Sequence, residues 1–256
     1  MPAGKATMAP GMPLLAAIGL SILFVIGAAL GLVFGLVLGL VSLVRGARAV
    51  HFEGVVCRAR LTSRHAVADL LAGPALVRLS GALERQDTTG TDVLGLDLRL
   101  QPVAKDDAAY GDQDLLLGSF ESFLTVARDR ARTDAGDYLA NQYSTVTPWW
   151  LTGLGPVILR LVPPPPAAAD RGSSRLARLD ADLAAGRAGF TLMVGTGSDA
   201  IALADVQLTE RIDIDDRRLR ASMFRQGRRV RPLGLRNGIR ATVYPISQLA
   251  RRLRGG

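Results

Sequence analysis

The stretch Arg240-Ala-Thr-Val-Tyr-Pro-Ile-Ser-Gln-Leu-Ala-Arg251 organises the reading of the whole chain. On a helix each residue advances by about 100°, so Arg240, Tyr244 and Arg251 fall within about 40° of one another. A tyrosine one turn from a fixed guanidinium can be held as a phenolate, because the cation favours the charged form of a group whose ordinary pKa is about 10. A phenolate oxygen is an anionic ligand suited to ferric iron. The same residues also read as a basic amphipathic helix with one core tyrosine, and the upstream sequence decides between the two.

Working outward, the segment before this helix is Arg231-Pro-Leu-Gly-Leu-Arg-Asn237-Gly-Ile-Arg240. Far upstream stands Arg48-Ala-Val-His51-Phe-Glu-Gly54, followed by the alternating run Pro74-Ala-Leu-Val-Arg78-Leu-Ser80-Gly81. Thr91 to Leu100 ends in period-two alternation, as a strand does, and Asp114-Leu-Leu-Leu-Gly118-Ser119-Phe follows a polar loop over 102–113. In this order the motifs resemble the catalase superfamily. R-x-V-H-x-x-G is similar to the family's distal histidine motif, V-R-L-S to its V-R-F-S strand, and the Thr91–Leu100 run to its D-x-x-G-x-A-x-K strand. The carboxyl-terminal stretch resembles its haem helix R-x-x-x-Y-x-D-T-x-x-x-R, with Ile246 and Ser247 where the family has Asp and Thr. R-P-L-G-x-x-N-x-x-R-x-x-V-Y over 231–244 is similar to the carboxyl end of short catalase-like proteins.

The resemblance implies an α+β fold, an antiparallel β-barrel with helices around it. It also implies haem b as cofactor, with Tyr244 as iron ligand and Arg240 holding it as the phenolate. Arg48, Arg78 and Arg251 would meet propionates, and Ser80 would orient a catalytic His51 that moves the peroxide proton. One departure matters. Where the family carries a distal asparagine, this chain has Gly118 or Ser119. Ser119 is the candidate replacement, and fast dismutation of hydrogen peroxide is not expected from it. A peroxidase-type reaction on organic or lipid hydroperoxides is the leading expectation. The alternative is a degenerate catalase-like domain without turnover, serving as a membrane scaffold or complex subunit.

The amino-terminal segment adds a second theme. From Met12 to Val44 there is no charged residue. As a helix this run is about 50 Å long, against about 30 Å of hydrocarbon in a bilayer. That is too long for a signal-peptide core. It predicts one transmembrane helix, dividing the chain into 1–46 (tail and anchor) and 47–256 (catalase-like domain). Lys5 precedes the span, whereas Arg45, Arg48, Arg58, Arg60 and Arg64 follow it. The positive-inside rule then puts the domain in the cytoplasm, as a single-pass protein. Gly27, Gly31, Gly35 and Gly39 repeat every fourth residue, a pattern that lets two helix backbones approach closely. They predict self-association or a partner helix in the membrane.

The net charge of +8 is carried almost wholly by arginine, and from Arg217 onward there is no Asp or Glu. A basic tail of this kind suits anionic lipid, nucleic acid or a polyanionic cofactor. Nucleic-acid modules interleave aromatics with the cations. Here only Phe224 and Tyr244 do so, and nucleic acid is not expected as a partner. Membrane lipid and a small-molecule hydroperoxide are. Cys57 is the single cysteine, which excludes an intrachain disulfide and any zinc-type cysteine spacing. Gly195-Thr-Gly197 lies in a predicted hairpin and has no following G-K-S/T, so it is not a phosphate loop.

Overall fold

The computed structural model describes residues 14–45, 51, 53–82, 90–122, 124–165, 171–214 and 219–253. Eight antiparallel strands close into a barrel: β1 (Gly54–Ser63), β2 (Gly73–Gly81), β3 (Leu94–Leu100), β4 (Gln113–Gly118), β5 (Tyr143–Ser144), β8 (Leu159–Val162), β9 (Gly189–Val194) and β10 (Ile201–Ile212). Each strand pairs with the next one in the barrel, and β10 returns to pair with β1. Full closure leaves no open edge to template aggregation. The excursion between β5 and β8 supplies β6 (Trp149–Leu151) and β7 (Gly155–Val157), which form a small separate sheet with β11 (Arg231–Pro232) from just before the last helix. The helices are α1 (Leu14–Arg45), α2 (Val126–Arg132), α3 (Arg175–Ala184) and α4 (Leu235–Leu253). The architecture is α+β, as the sequence predicts.

Alternation decides which side chains fill the barrel, because successive residues of a strand point to opposite faces. Leu94, Leu96, Leu98 and Leu100 of β3 are all fully buried. They stand in register with Val77 and Leu79 of β2 and with Leu115 and Leu117 of β4. Cys57 and Val55 of β1 continue these layers. Gly95, Asp97 and Arg99 take the opposite, outer face. Arg99 there donates to Asp114 at 2.8 Å, and Arg225 adds a second pair to the same carboxylate at 2.7 Å.

This cluster explains one departure from the sequence reading. Leu219 to Phe224 is predicted as a strand, yet it joins no sheet. Its backbone is bonded by side chains of the barrel wall instead: Arg99 donates to the Arg220 carbonyl and the Ser222 amide donates to Asp114. Leu219 packs on Val56 and Leu76. Similarly, the predicted helix over 123–139 ends at Arg132. The Asp134 side chain accepts from the Gly136 amide, a local turn bond that competes with continued helix. His65 does not follow a helix cap but forms one. Its Nδ1 accepts from the Val67 amide at the start of a short 3-10 helix, Ala66–Leu71. α3 starts at Ser174, whose hydroxyl accepts from the Ala177 amide at the N-cap.

The long apolar helix α1 does not stand apart from the domain. It runs parallel to α4, with Leu20 beside Gly234, Ala28 beside Gly238 and Gly35 beside Ile246. The approach is backbone to backbone. A Cβ at Gly27 would lie 1.9 Å from the Leu235 carbonyl oxygen, and one at Gly238 would lie 2.0 Å from the Phe24 carbonyl oxygen. Gly31 and Gly35 are equally crowded, by Ile239, Thr242 and Ile246. The Thr242 hydroxyl donates to the Ala28 carbonyl at 2.7 Å. The glycine repeat thus has a helix partner within the same chain. The surroundings of Gly39 lie outside the described residues.

Inside the barrel, burial pushes the Cys57 thiol up to about 12, Arg211 lowering it and Asp180 raising it to smaller extents. The thiolate is the reactive species. Native protein at pH 8 is therefore expected to leave Cys57 unmodified by an aromatic disulfide reagent, with one thiol appearing on denaturation. Prompt reaction of the folded protein would show that β1 is not sealed in the wall.

Candidate functional site

The outer face of the barrel carries a row of small residues at one level. Strand register aligns Gly54 of β1 with Ser80 of β2, Ser80 with Gly95 of β3, Gly95 with Gly118 of β4, and Gly118 with Ser144 of β5. None of these residues has a side-chain atom beyond Oγ, so the wall is a shelf on which other groups can lie flat.

His51 lies on that shelf. Its imidazole covers Gly95 so closely that a Cβ there would sit 2.4 Å from Cε1. Its Nδ1 is 3.0 Å from Ser80 Oγ. The residue has φ +58°, a left-handed conformation that a non-glycine residue adopts at a cost and keeps only when its surroundings impose it. Two backbone bonds impose it here. The His51 amide donates to the Ala82 carbonyl at 2.9 Å, and Arg78 Nη2 donates to the His51 carbonyl at 2.9 Å. Arg78 is fully buried and also faces Asp97, at 3.8 Å. Its guanidinium occupies the space that a side chain at Gly54 would need. The two residues read from the V-R-L-S strand thus both act on His51, Ser80 on the ring and Arg78 on the backbone.

Ser80 Oγ also lies 3.5 Å from the Gly95 carbonyl, which can only accept. If the hydroxyl proton goes there, Nδ1 of His51 donates to Ser80 and Nε2 keeps its lone pair.

Ser119 is placed differently. Its Oγ accepts from the Leu94 amide at 2.8 Å and bonds the Thr133 hydroxyl at 2.9 Å. It fastens the start of β3 to the end of α2. Beside it the Phe120 ring lies against Gly118. The shelf level that Gly118 provides is therefore covered by an aromatic ring rather than by an amide.

The other half of the expected site is on α4. Counting about 100° per residue, Leu235, Gly238, Ile239, Thr242 and Ile246 form the face toward α1. Arg240, Tyr244 and Arg251 are centred about 160° round from it. They adjoin Asn237 and Ala241, both buried. Asn237 anchors α4 to the domain: its Oδ1 accepts from the Thr147 hydroxyl at 2.7 Å and its Nδ2 donates to the Pro148 carbonyl at 3.1 Å. Arg240 is half-buried. The side chains of Tyr244 and Arg251, and the whole of Arg48, lie outside the described residues.

The comparisons enter here. A crystal structure of a fungal catalase superposes on 80% of this chain with a TM-score of 0.54 and 11% sequence identity. The fold is catalase-like. This chain spans 59% of the length of that catalase, and at this identity the likeness is one of fold. No protein-family model and no curated protein matches the sequence.

The structure brings His51, Arg78 and Ser80, all named from the sequence, into contact with one another. Sequence reasoning missed that Gly54 and Gly95 are the seats of Arg78 and His51. A glycine inside an alternating strand is the available signal, since it often marks a close approach. Gly95→Val is expected to leave the barrel folded but displace the imidazole. Carbethoxylation of His51, followed by mass spectrometry with His65 as internal reference, should become several-fold faster. An unchanged rate would mean that the ring does not rest on the shelf.

Proposed function

We propose that this chain is a membrane-bound, catalase-like haem protein that acts on peroxides, with organic or lipid hydroperoxides preferred over hydrogen peroxide. The observation that carries the reading is His51, held in a left-handed conformation by four separate contacts on the outer shelf of a barrel of catalase-like fold. Residues held in sparsely populated backbone regions cluster at functional sites.

The residues present fit a haem on the histidine side. There the wall residues themselves are small, and the groups lying on them are the His51 imidazole over Gly95 and the Phe120 ring over Gly118. On the α4 side the sequence supplies the donors: Tyr244 would ligate the iron as phenolate beside Arg240, while Arg48, Arg78 and Arg251 would meet propionates. When bound, the haem supplies a redox-active ferric centre for O–O cleavage. The protein supplies proton movement. With Nδ1 held beside Ser80, the His51 imidazole would take a proton from one peroxide oxygen and return it to the other. Asp97 and Arg78 hold the backbone that carries the ring and do not themselves meet substrate.

Two features favour organic hydroperoxides. The Ser119 hydroxyl is committed to Leu94 and Thr133, so it does not replace an amide that would steady a small peroxide beside the imidazole. The exposed apolar face of α1 brings the domain to the membrane, where lipid hydroperoxides form. A second reading, a degenerate barrel serving as scaffold, is favoured by the same Ser119 and by Phe120 covering Gly118.

Purified protein grown with a haem precursor is expected to show a Soret band that Tyr244→Phe abolishes. His51→Ala should keep the band and lower turnover by about 10²- to 10⁴-fold, the usual worth of a general acid–base group. A linoleate hydroperoxide should be turned over faster than hydrogen peroxide. A colourless protein would favour the scaffold, and hydrogen peroxide outrunning every organic substrate would remove the lipid preference.

A further inference from the structure

We infer that α1 lies in the plane of one membrane leaflet, along the side of the barrel domain, and does not cross the bilayer. This rests on the membrane reading above and changes its geometry.

The argument is one of available length. α1 is fastened to the domain from Ala17 to Gly35. At one end the Gly234 amide donates to the Leu20 carbonyl at 2.9 Å, and Ala17, Ile18, Ser21, Ile22 and Val25 border a groove against Trp150, Arg231 and Leu233. Further along, Gly27 and Gly31 meet the α4 backbone and Gly35 meets the Ile246 side chain. Over that same length α4 belongs to the domain, because Asn237, Ala241 and Val243 are buried. Ala17 to Gly35 covers about 27 Å of helix. Beyond it only Leu36 to Arg45 remains, about 15 Å. A bilayer's hydrocarbon is about 30 Å thick, so this free part reaches only half-way.

Crossing would also require α4 to follow α1 into hydrocarbon, since the seam has no slack. Over that length α4 carries exposed Arg236 and half-buried Arg240. Charged groups at the bilayer centre are strongly disfavoured. An in-plane seat avoids this. The outer face of α1 remains a continuous apolar surface of exposed Leu15, Ile22, Val25, Leu32, Val33 and Phe34. Half-buried Trp150 and exposed Arg231 lie at its edge, residue types that settle at the headgroup level. Neither α1 nor α4 contains an acidic residue, so an anionic headgroup layer is not repelled along the pair.

The test uses the full chain in sealed vesicles made from the membranes of expressing cells. Ala3→Cys and Gly255→Cys are labelled separately with a membrane-impermeant maleimide, before and after detergent. Cys57, sealed in the wall, gives the background. In-plane seating predicts that both ends behave alike, either both labelled or both protected until detergent is added. One end labelled and the other protected would overturn it and leave the membrane reading standing. Protein absent from the membrane fraction would overturn the membrane reading itself. As a second measurement, Ile22→Asp with Val33→Asp on the exposed face should release the folded domain from the vesicles. Retention of that variant would overturn the proposed seat.

Discussion

The pairing register of the barrel strands is the constraint from which the site follows. Each strand pairs antiparallel with its neighbour, so residues at one level alternate strictly between interior and exterior. The level that holds Val55, Leu79, Leu96 and Leu117 inside is flanked by the level that sets Gly54, Ser80, Gly95 and Gly118 outside. A slip of one residue in β3 would exchange Gly95 for a leucine. It would deny His51 its seat and put Asp97 or Arg99 into the apolar interior. The same alternation that makes the core therefore makes the shelf.

On this wall the ring and backbone of His51 are governed by different residues. Ser80 holds the ring and Arg78 the carbonyl, and the two are neighbours on one face of β2, two positions apart. A buried arginine is costly unless its donors are used. Arg78 uses its own on the His51 carbonyl and toward Asp97. The burial of this cation and the unusual conformation of the histidine are two sides of one arrangement. Each would be unfavourable without the other.

On the opposite side of α4 a second close contact fixes the helix that carries Tyr244. Asn237 ties α4 to Thr147 and Pro148 from within, and α1 closes over it from outside through glycines. α4 is thus gripped on two faces, and Arg240, Tyr244 and Arg251 lie on the side of Asn237, away from the α1 seam. α1 has a corresponding double role. Its glycine side is part of the domain's packing, while its outer side remains as apolar as a membrane helix.

Much was legible in the residues alone. Period-two alternation marked β2 and β3, and the Arg78–Ser80 pair, His51 and the Arg240–Arg251 helix were visible as motifs. The absence of charge from Met12 to Val44 determined that α1 would be a long apolar helix, and the spacing of Gly27, Gly31 and Gly35 that it would pack closely on another. These are local properties, set by side-chain type and period. Tertiary structure decided which helix fills the glycine face, that the Ser119 hydroxyl is spent on Leu94 and Thr133, and that Leu219–Phe224 is held by Arg99 and Asp114 and not by a strand. It also decided that α1 has a domain along its length. Such outcomes depend on contacts between residues far apart in the chain, and periodicity carries no information about which distant partner a face will meet.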